Sequence, residues 1–238
     1  MNISLTATEI KQLSGFIGYG PNNPKIIFLG TEEAGGGLKN IQTRLTKFTS
    51  PTQDLYKAHC LLEDFGETPN PLIRKHCPVQ QWTTASFFTL ALAGKSPQEY
   101  NNYCKNYLGR QNRESFLMDC FPVPKPSQGT QIQGYKPKQA WEDFRRDNLK
   151  NFISAISPQP IFIIAYGNTA GDKIEELVGS INWENISETD CSVGKIESGT
   201  VICKTGFFGQ GRFNRDYIRH LAPKMQKLAN QSFSINYP

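Results

Sequence analysis

Ile161-Phe162-Ile163-Ile164-Ala165-Tyr166-Gly167-Asn168-Thr169 is the stretch on which the fold turns. Apolar and aromatic residues run from Ile161 to Tyr166 without alternation and end at a glycine, the pattern of a strand covered on both faces. A helical segment, Thr169 to Leu177, follows at once, and a strand feeding directly into a helix is the unit of a parallel α/β sheet. Three further apolar runs share the pattern: Lys25 to Gly30, Ser115 to Cys120 closed by Pro122, Pro124 and Pro126, and Thr200 to Cys203. Between them, helical spacing is predicted from the Gly-rich loop to about Phe48, and over Asp54–Phe65, Trp82–Leu92, Gln98–Leu108 and Lys138–Ile156, with a last helix over Arg215–Leu228. There is no internal repeat or low-complexity tract, so residues 1–238 read as a single domain. The expectation is a three-layer α/β/α sandwich with a four-stranded parallel sheet, its ligands beyond the carboxyl ends of the strands.

The chain has 238 residues, a net charge of +5 and a pI near 8.8. Cations crowd its last part: Lys195, Lys204, Arg212, Arg215, Arg219, Lys224 and Lys227 are opposed only by Glu197 and Asp216, which would draw a polyanion there first. Met1-Asn2-Ile3-Ser4 has neither a basic start nor an apolar run after it, and no stretch is long enough to span a bilayer. A soluble, cytoplasmic protein without a membrane partner is expected, with a monomer as the default state. The six cysteines form no CxxC pair and read as buried thiols. His59-Cys60 and His76-Cys77 are read as chance doublets rather than zinc ligands, because adjacent side chains point in different directions and rarely share an ion.

The unusual residues fall just after the strands: Glu32 and Glu33, then Asp119, then Asn168, then the loop Gly206 to Arg212. The glycine run Gly35–Gly37 lacks the Lys-Ser/Thr of a P-loop, and the spacing of a dinucleotide fingerprint is missing. There is no GxSxG elbow, and the three histidines fall away from the strand ends, which argues against a triad hydrolase.

In order and spacing, these motifs resemble the uracil-DNA glycosylase superfamily across roughly residues 25 to 225. Leu29-Gly30-Thr31-Glu32-Glu33-Ala34-Gly35 is similar to that family's first catalytic loop, and Leu117-Met118-Asp119-Cys120-Phe121-Pro122 to the strand whose last polar residue reads the flipped base. Ala165-Tyr166-Gly167-Asn168-Thr169-Ala170 is similar to its third strand and turn, and Gly206 to Asn214 stands where it carries a DNA-wedging loop. The resemblance implies hydrolysis of an N-glycosidic bond in single- or double-stranded DNA, with no cofactor or metal. The iron–sulfur cysteine spacing of some members is missing. It implies Glu32 as the carboxylate that stabilises the sugar cation and orients water, with Glu33 in reserve. No lysine stands at a strand end in a position that points to Schiff-base chemistry, so an enzyme that leaves the abasic site uncut is expected.

Three departures shift the expected substrate. Asp119 stands where many members carry Asn, and a carboxylate suits the N4 amino donor of cytosine; a raised pKa would let it share a proton with N3. Ala34 replaces a Tyr that walls off C5, and with Gly35 it opens space for a C5 substituent. The histidine of the last loop is absent. Together these point to a cytosine with a bulky C5 modification, such as glucosylated hydroxymethylcytosine of viral DNA, and by resemblance to an antiviral role. On the DNA side, Phe207, Phe208 or Arg212 would fill the gap left by the flipped nucleotide, with at least one of the two phenylalanines expected in the core instead. Gly209 belongs to the same DNA-binding loop, Lys204, Arg215 and Arg219 would hold phosphates, Phe48 would stack on the base and Asn168 would line its pocket. Three alternatives stay open: a repair enzyme for uracil or another deaminated base, a catalytically silent DNA-binding module, and an N-glycosidase of free nucleosides.

Overall fold

The computed structural model describes residues 3–34, 36–64, 69–125, 130–187, 189–209, 213–229 and 232–237. In chain order they form α1 (Ala7–Ser14), β1 (Gly18–Tyr19), β2 (Ile26–Ala34), α2 (Leu38–Lys47), β3 (Thr52–Gln53), α3 (Leu55–Asp64), α4 (Gln80–Leu92), α5 (Tyr100–Asn106) and β4 (Ser115–Lys125). There follow α6 (Pro137–Ala140), α7 (Arg146–Ala155), β5 (Phe162–Tyr166), α8 (Asn168–Val178), β6 (Glu184–Ile186), β7 (Cys191–Lys195), β8 (Val201–Thr205) and α9 (Asp216–Ala229). A π turn, Trp141–Arg145, joins α6 to α7.

The class is α/β, but the expected four-stranded parallel sheet is corrected: the strands form one mixed sheet of eight, ordered β3-β1-β4-β2-β5-β8-β7-β6. Its centre, β4-β2-β5-β8, is parallel throughout. β1 runs antiparallel to β4, and β7 closes a hairpin on β8 through Gly199 at φ +94°. The added strands escape a reading by apolar pattern because β1, β3 and β6 have two or three residues each, and β7 mixes Ser192, Gly194 and Lys195 among its apolar positions.

A second correction concerns β4, which does not stop at its prolines but runs to Lys125. Glu32 of β2 lies opposite Phe121 and Ala34 opposite Lys125, so β4 carries extra residues in a bulge that takes in Pro122 and Pro124. Proline donates no ladder bond, and a bulge tolerates it, the more so here because β1 pairs with β4 only at Leu117 and Met118.

Alternate residues of the central strands feed two apolar cores. Ile26, Phe28, Phe162, Ile164, Val201 and Cys203 face α3, α4, α5 and α9. Ile27, Leu29, Ile163, Ala165 and Ile202 face the π turn, α7 and α8 through Trp141, Leu149, Ile153, Ala170 and Ile174. Each such Ile, Leu or Phe, removed from water, contributes about 1.5–3 kcal/mol. A third cluster packs α1 and α2 against the far end of β4 at Val123. Asp54 caps α3 by accepting from the Lys57 amide at 3.1 Å and is tied to Arg110 at 3.0 Å, which fixes the helix that carries His59. Gly167, at φ +86°, makes the sharp turn from β5 into α8 that a side chain would strain. All six cysteines are free thiols. Among the described residues, no helix is long and apolar enough to cross a membrane.

Candidate functional site

Because β2, β4, β5 and β8 are parallel, their carboxyl ends share one edge of the sheet, where Glu32 and Glu33, Asp119, Tyr166 and Phe207 line a cleft of about 290 Å³. Its opposite wall is built from His59 of α3, Trp82 of α4, and Pro69, Pro71 and Arg74 of the segment between those helices. The volume sits at the lower end of ligand cavities, about 300–1,000 Å³.

Asp119 forms the floor. Its neighbour across the ladder is Gly30, where a Cβ would collide with Asp119 Oδ1 and the Tyr166 hydroxyl, so only glycine lets these groups converge. The Asp119 carbonyl accepts from Arg145 Nε at 3.1 Å and Nη2 at 2.8 Å. The same guanidinium donates to the carbonyls of Ser14 at 3.1 Å, Phe16, and Ile17 at 3.1 Å. Arg145 is thus a buried cation held by carbonyl dipoles, and burial pulls it down to about 10, with Asp119 opposing the shift. Burial pushes the Asp119 carboxyl up to about 7; Glu33 and Glu32 push the same way, while Arg145 and Arg44 oppose them. A carboxyl in that range gives and takes a proton near neutrality. Tyr166 is half-buried beside Asp119; desolvation, with Asp119 adding to it, pushes its phenol well above the ordinary range.

The adjacent glutamates differ. Glu33 accepts from the Tyr19 hydroxyl at 2.9 Å and pairs with Arg44 Nη2 at 2.8 Å, while Arg44 also donates to Tyr19 at 2.8 Å and to Asn40 Oδ1 at 2.6 Å. Glu32 pairs with Lys125 Nζ at 3.0 Å. Lys125 ends β4, and the bulge brings it back beside β2. His59 Nε2 lies 3.9 Å from Glu33 Oε1 and has no hydrogen-bond partner among the described residues. Its ring meets Trp82 edge to face at 4.9 Å. Burial pushes His59 down to about 4, against the pull of Glu33 and with the push of Arg44.

The structure brings Glu32, Glu33 and Asp119 together. Ala34 ends β2, while Gly35 and Arg212 lie outside the described residues. The other expected side chains lie as follows. Phe48 packs on Phe16 at 5.1 Å and under Arg44 at 5.2 Å, away from the cleft, because α2 ends there against the first strand. Asn168 is exposed at the start of α8 and does not line the cleft. Lys204 carries its ammonium to the Trp183 face at 5.2 Å, on the α8 side of the sheet. Phe208 is core, 3% exposed and stacked on Tyr166 at 4.5 Å. Gly209 is buried where a Cβ would press on Phe207 and Gln81. Arg215 is spent on α4, donating to Thr83 at 2.6 Å and Thr84 at 3.3 Å and lying over Tyr100 at 4.7 Å. Of the expected wedge aromatics, Phe207 alone lines the cleft.

Arg44, His59, Trp82 and Arg145 have no signal in strand-end motifs, since all four come from helices or the π turn. Tyr166 was readable, as the last residue of the clearest strand. Among the described residues no group of three or more His, Cys, Asp or Glu is placed to hold a metal. No protein-family model matches the chain, and no curated protein matches its sequence.

Proposed function

We propose that the cleft is the base pocket of a DNA glycosylase acting on a cytosine with a bulky C5 substituent. The observation that carries this reading is the Asp119 carboxyl, fixed on the floor between three parallel strand ends and poised near neutrality, with the aromatic walls Trp82, Tyr166 and Phe207 around it. Flat apolar walls suit a planar heterocycle, and a carboxyl that both donates and accepts suits the N3 and N4 edge of cytosine. In the reaction the bond from C1′ to the base nitrogen breaks, its electron pair leaves with the base, and water supplies the hydroxyl at C1′. Glu32 stabilises the sugar cation and orients that water, and protonated Asp119 neutralises the departing base. Lys125 holds Glu32 in place by its 3.0 Å ion pair. The resemblance to uracil-DNA glycosylases supports the reading, and an antiviral role is proposed on that resemblance alone.

A second reading, an N-glycosidase of free modified nucleosides, is favoured by one observation: Phe208 and Arg215, expected on DNA, are committed to the protein's own packing. Mass spectrometry of bases released from plain DNA, uracil DNA, viral DNA with C5-modified cytosine and the free nucleosides separates the two. Release of modified cytosine from DNA is expected, falling by about 10²–10³ in Glu32→Gln. Release of uracil alone overturns the reading of Asp119, release from nucleosides alone favours the second reading, and no release at all leaves a binding module.

A further inference from the structure

The described residues hold one exposed large apolar side chain, Ile73, which is 54% exposed. It stands at the rim of the cleft, at the end of a short 3₁₀ turn, Pro71–Ile73, between Pro71 and Arg74, both of which line the cavity. Arg74, Lys75 and His76 after it are exposed, and no acidic side chain among the described residues pairs with either Arg74 or Lys75.

This tip is held rigidly. Asn70, fully buried, takes the Leu72 amide at 3.0 Å and donates to the Tyr56 carbonyl at 3.3 Å, while its own amide reaches Glu63 at 3.1 Å. Leu72 is anchored in the core. On the far side, Asn101 of α5 donates to the Lys75 carbonyl at 3.1 Å and accepts from the Cys77 amide at 3.0 Å. The chain thus fixes both ends of the tip and leaves an aliphatic side chain and two cations in water, an arrangement that gains nothing from folding.

We infer that Ile73 is the wedge that enters the base stack of duplex DNA beside the cleft, with Arg74 and Lys75 on the flanking phosphates. The inference rests on the proposed reaction at the cleft and assigns the wedge to a segment other than the Gly206–Asn214 loop. An apolar side chain inserted between base steps, with cations on the backbone to either side, is how proteins hold a duplex open around an extruded nucleotide. Duplex DNA is the partner that the pairing of chemistries fits: a stack of apolar faces within a polyanion.

The test measures binding, so it does not depend on catalysis. Fluorescence anisotropy compares an intact duplex with one carrying a tetrahydrofuran gap, for the full chain and for Ile73→Ala. The protein is expected to prefer the gapped duplex by roughly tenfold, since the gap removes the unstacking cost, and Ile73→Ala to weaken binding to it. The doubly changed Arg74→Gln, Lys75→Gln is expected to weaken both duplexes alike and to flatten the log–log salt dependence by about two. Equal affinity of the protein for both duplexes, or gapped-duplex binding unchanged in Ile73→Ala, overturns the wedge. A gap preference that depends on Ile73 without release of any base keeps the wedge and sinks the glycosylase; base release without it does the reverse.

Discussion

The floor and the rim of the cleft both carry positive charge, held in opposite ways. On the floor, Arg145 is buried and its donors are taken up by the carbonyls of Ser14, Phe16, Ile17 and Asp119. Arg44, equally buried, is taken up by Glu33, Tyr19 and Asn40. On the rim, Arg74 and Lys75 are exposed and unpaired among the described residues. A buried guanidinium with all its partners internal can position a reacting group but cannot reach a ligand. An exposed one contributes little to stability and is free for an outside anion.

The largest expected effect lies on the floor. Arg145→Met leaves buried carbonyls without donors and should lower unfolding free energy by about 3–5 kcal/mol in denaturant titrations. Arg145→Lys should recover only part, since an ammonium lacks the planar fork. A loss within about 0.5 kcal/mol would break the contrast with the rim.

Two smaller effects sharpen it through pH. Asp119 titrates near 7 when folded, above its ordinary value near 4, so the folded state holds the extra proton and stability falls as pH rises from about 4 to 7. His59 titrates near 4 when folded, below its ordinary 6.5, so the unfolded state holds the extra proton and stability rises over pH 4 to 6.5. The two slopes oppose each other in one window. Melting curves should show Asp119→Asn stabilised by on the order of 2 kcal/mol above pH 7, with a rising profile below it. His59→Gln should unmask the falling slope instead, and parallel profiles for both variants would refute this balance. The smallest effect belongs to the rim: Arg74→Gln with Lys75→Gln should leave stability within about 0.5 kcal/mol.

The parallel centre was legible because β2, β4, β5 and β8 are covered on both faces and therefore read as continuous apolar runs. The three carboxylates were legible because chain direction places the residues after such strands at one edge. What surrounds them was not. Tyr19, Arg44, His59 and Arg145 reach the site from a two-residue strand, two helices and a π turn, and no local pattern in the sequence marks their pairing with Glu33 and Asp119. Basic and aromatic content does not record where such side chains pack. Among the described residues of 204–215, Phe208 fills the space over Tyr166 and Arg215 clamps α4 to the start of α9. The free apolar side chain lies instead in a segment of ordinary composition, and only solvent exposure distinguishes Ile73 from its buried neighbour Leu72.

The π turn at Trp141–Arg145 carries a consequence for how such a floor can arise. A π turn is a helix with one residue more than its α-helical length, so the equivalent genetic event is insertion of a single codon. In a continuous α-helix that insertion would swing everything after it by about 100°. Taken up as a bulge, it leaves Trp141 on one side and Leu149 and Ile153 on the other in the same core, and a guanidinium between them under the Asp119 carbonyl. A chain can thus acquire a new support beneath a strand end in one step, without redrawing the helix that delivers it.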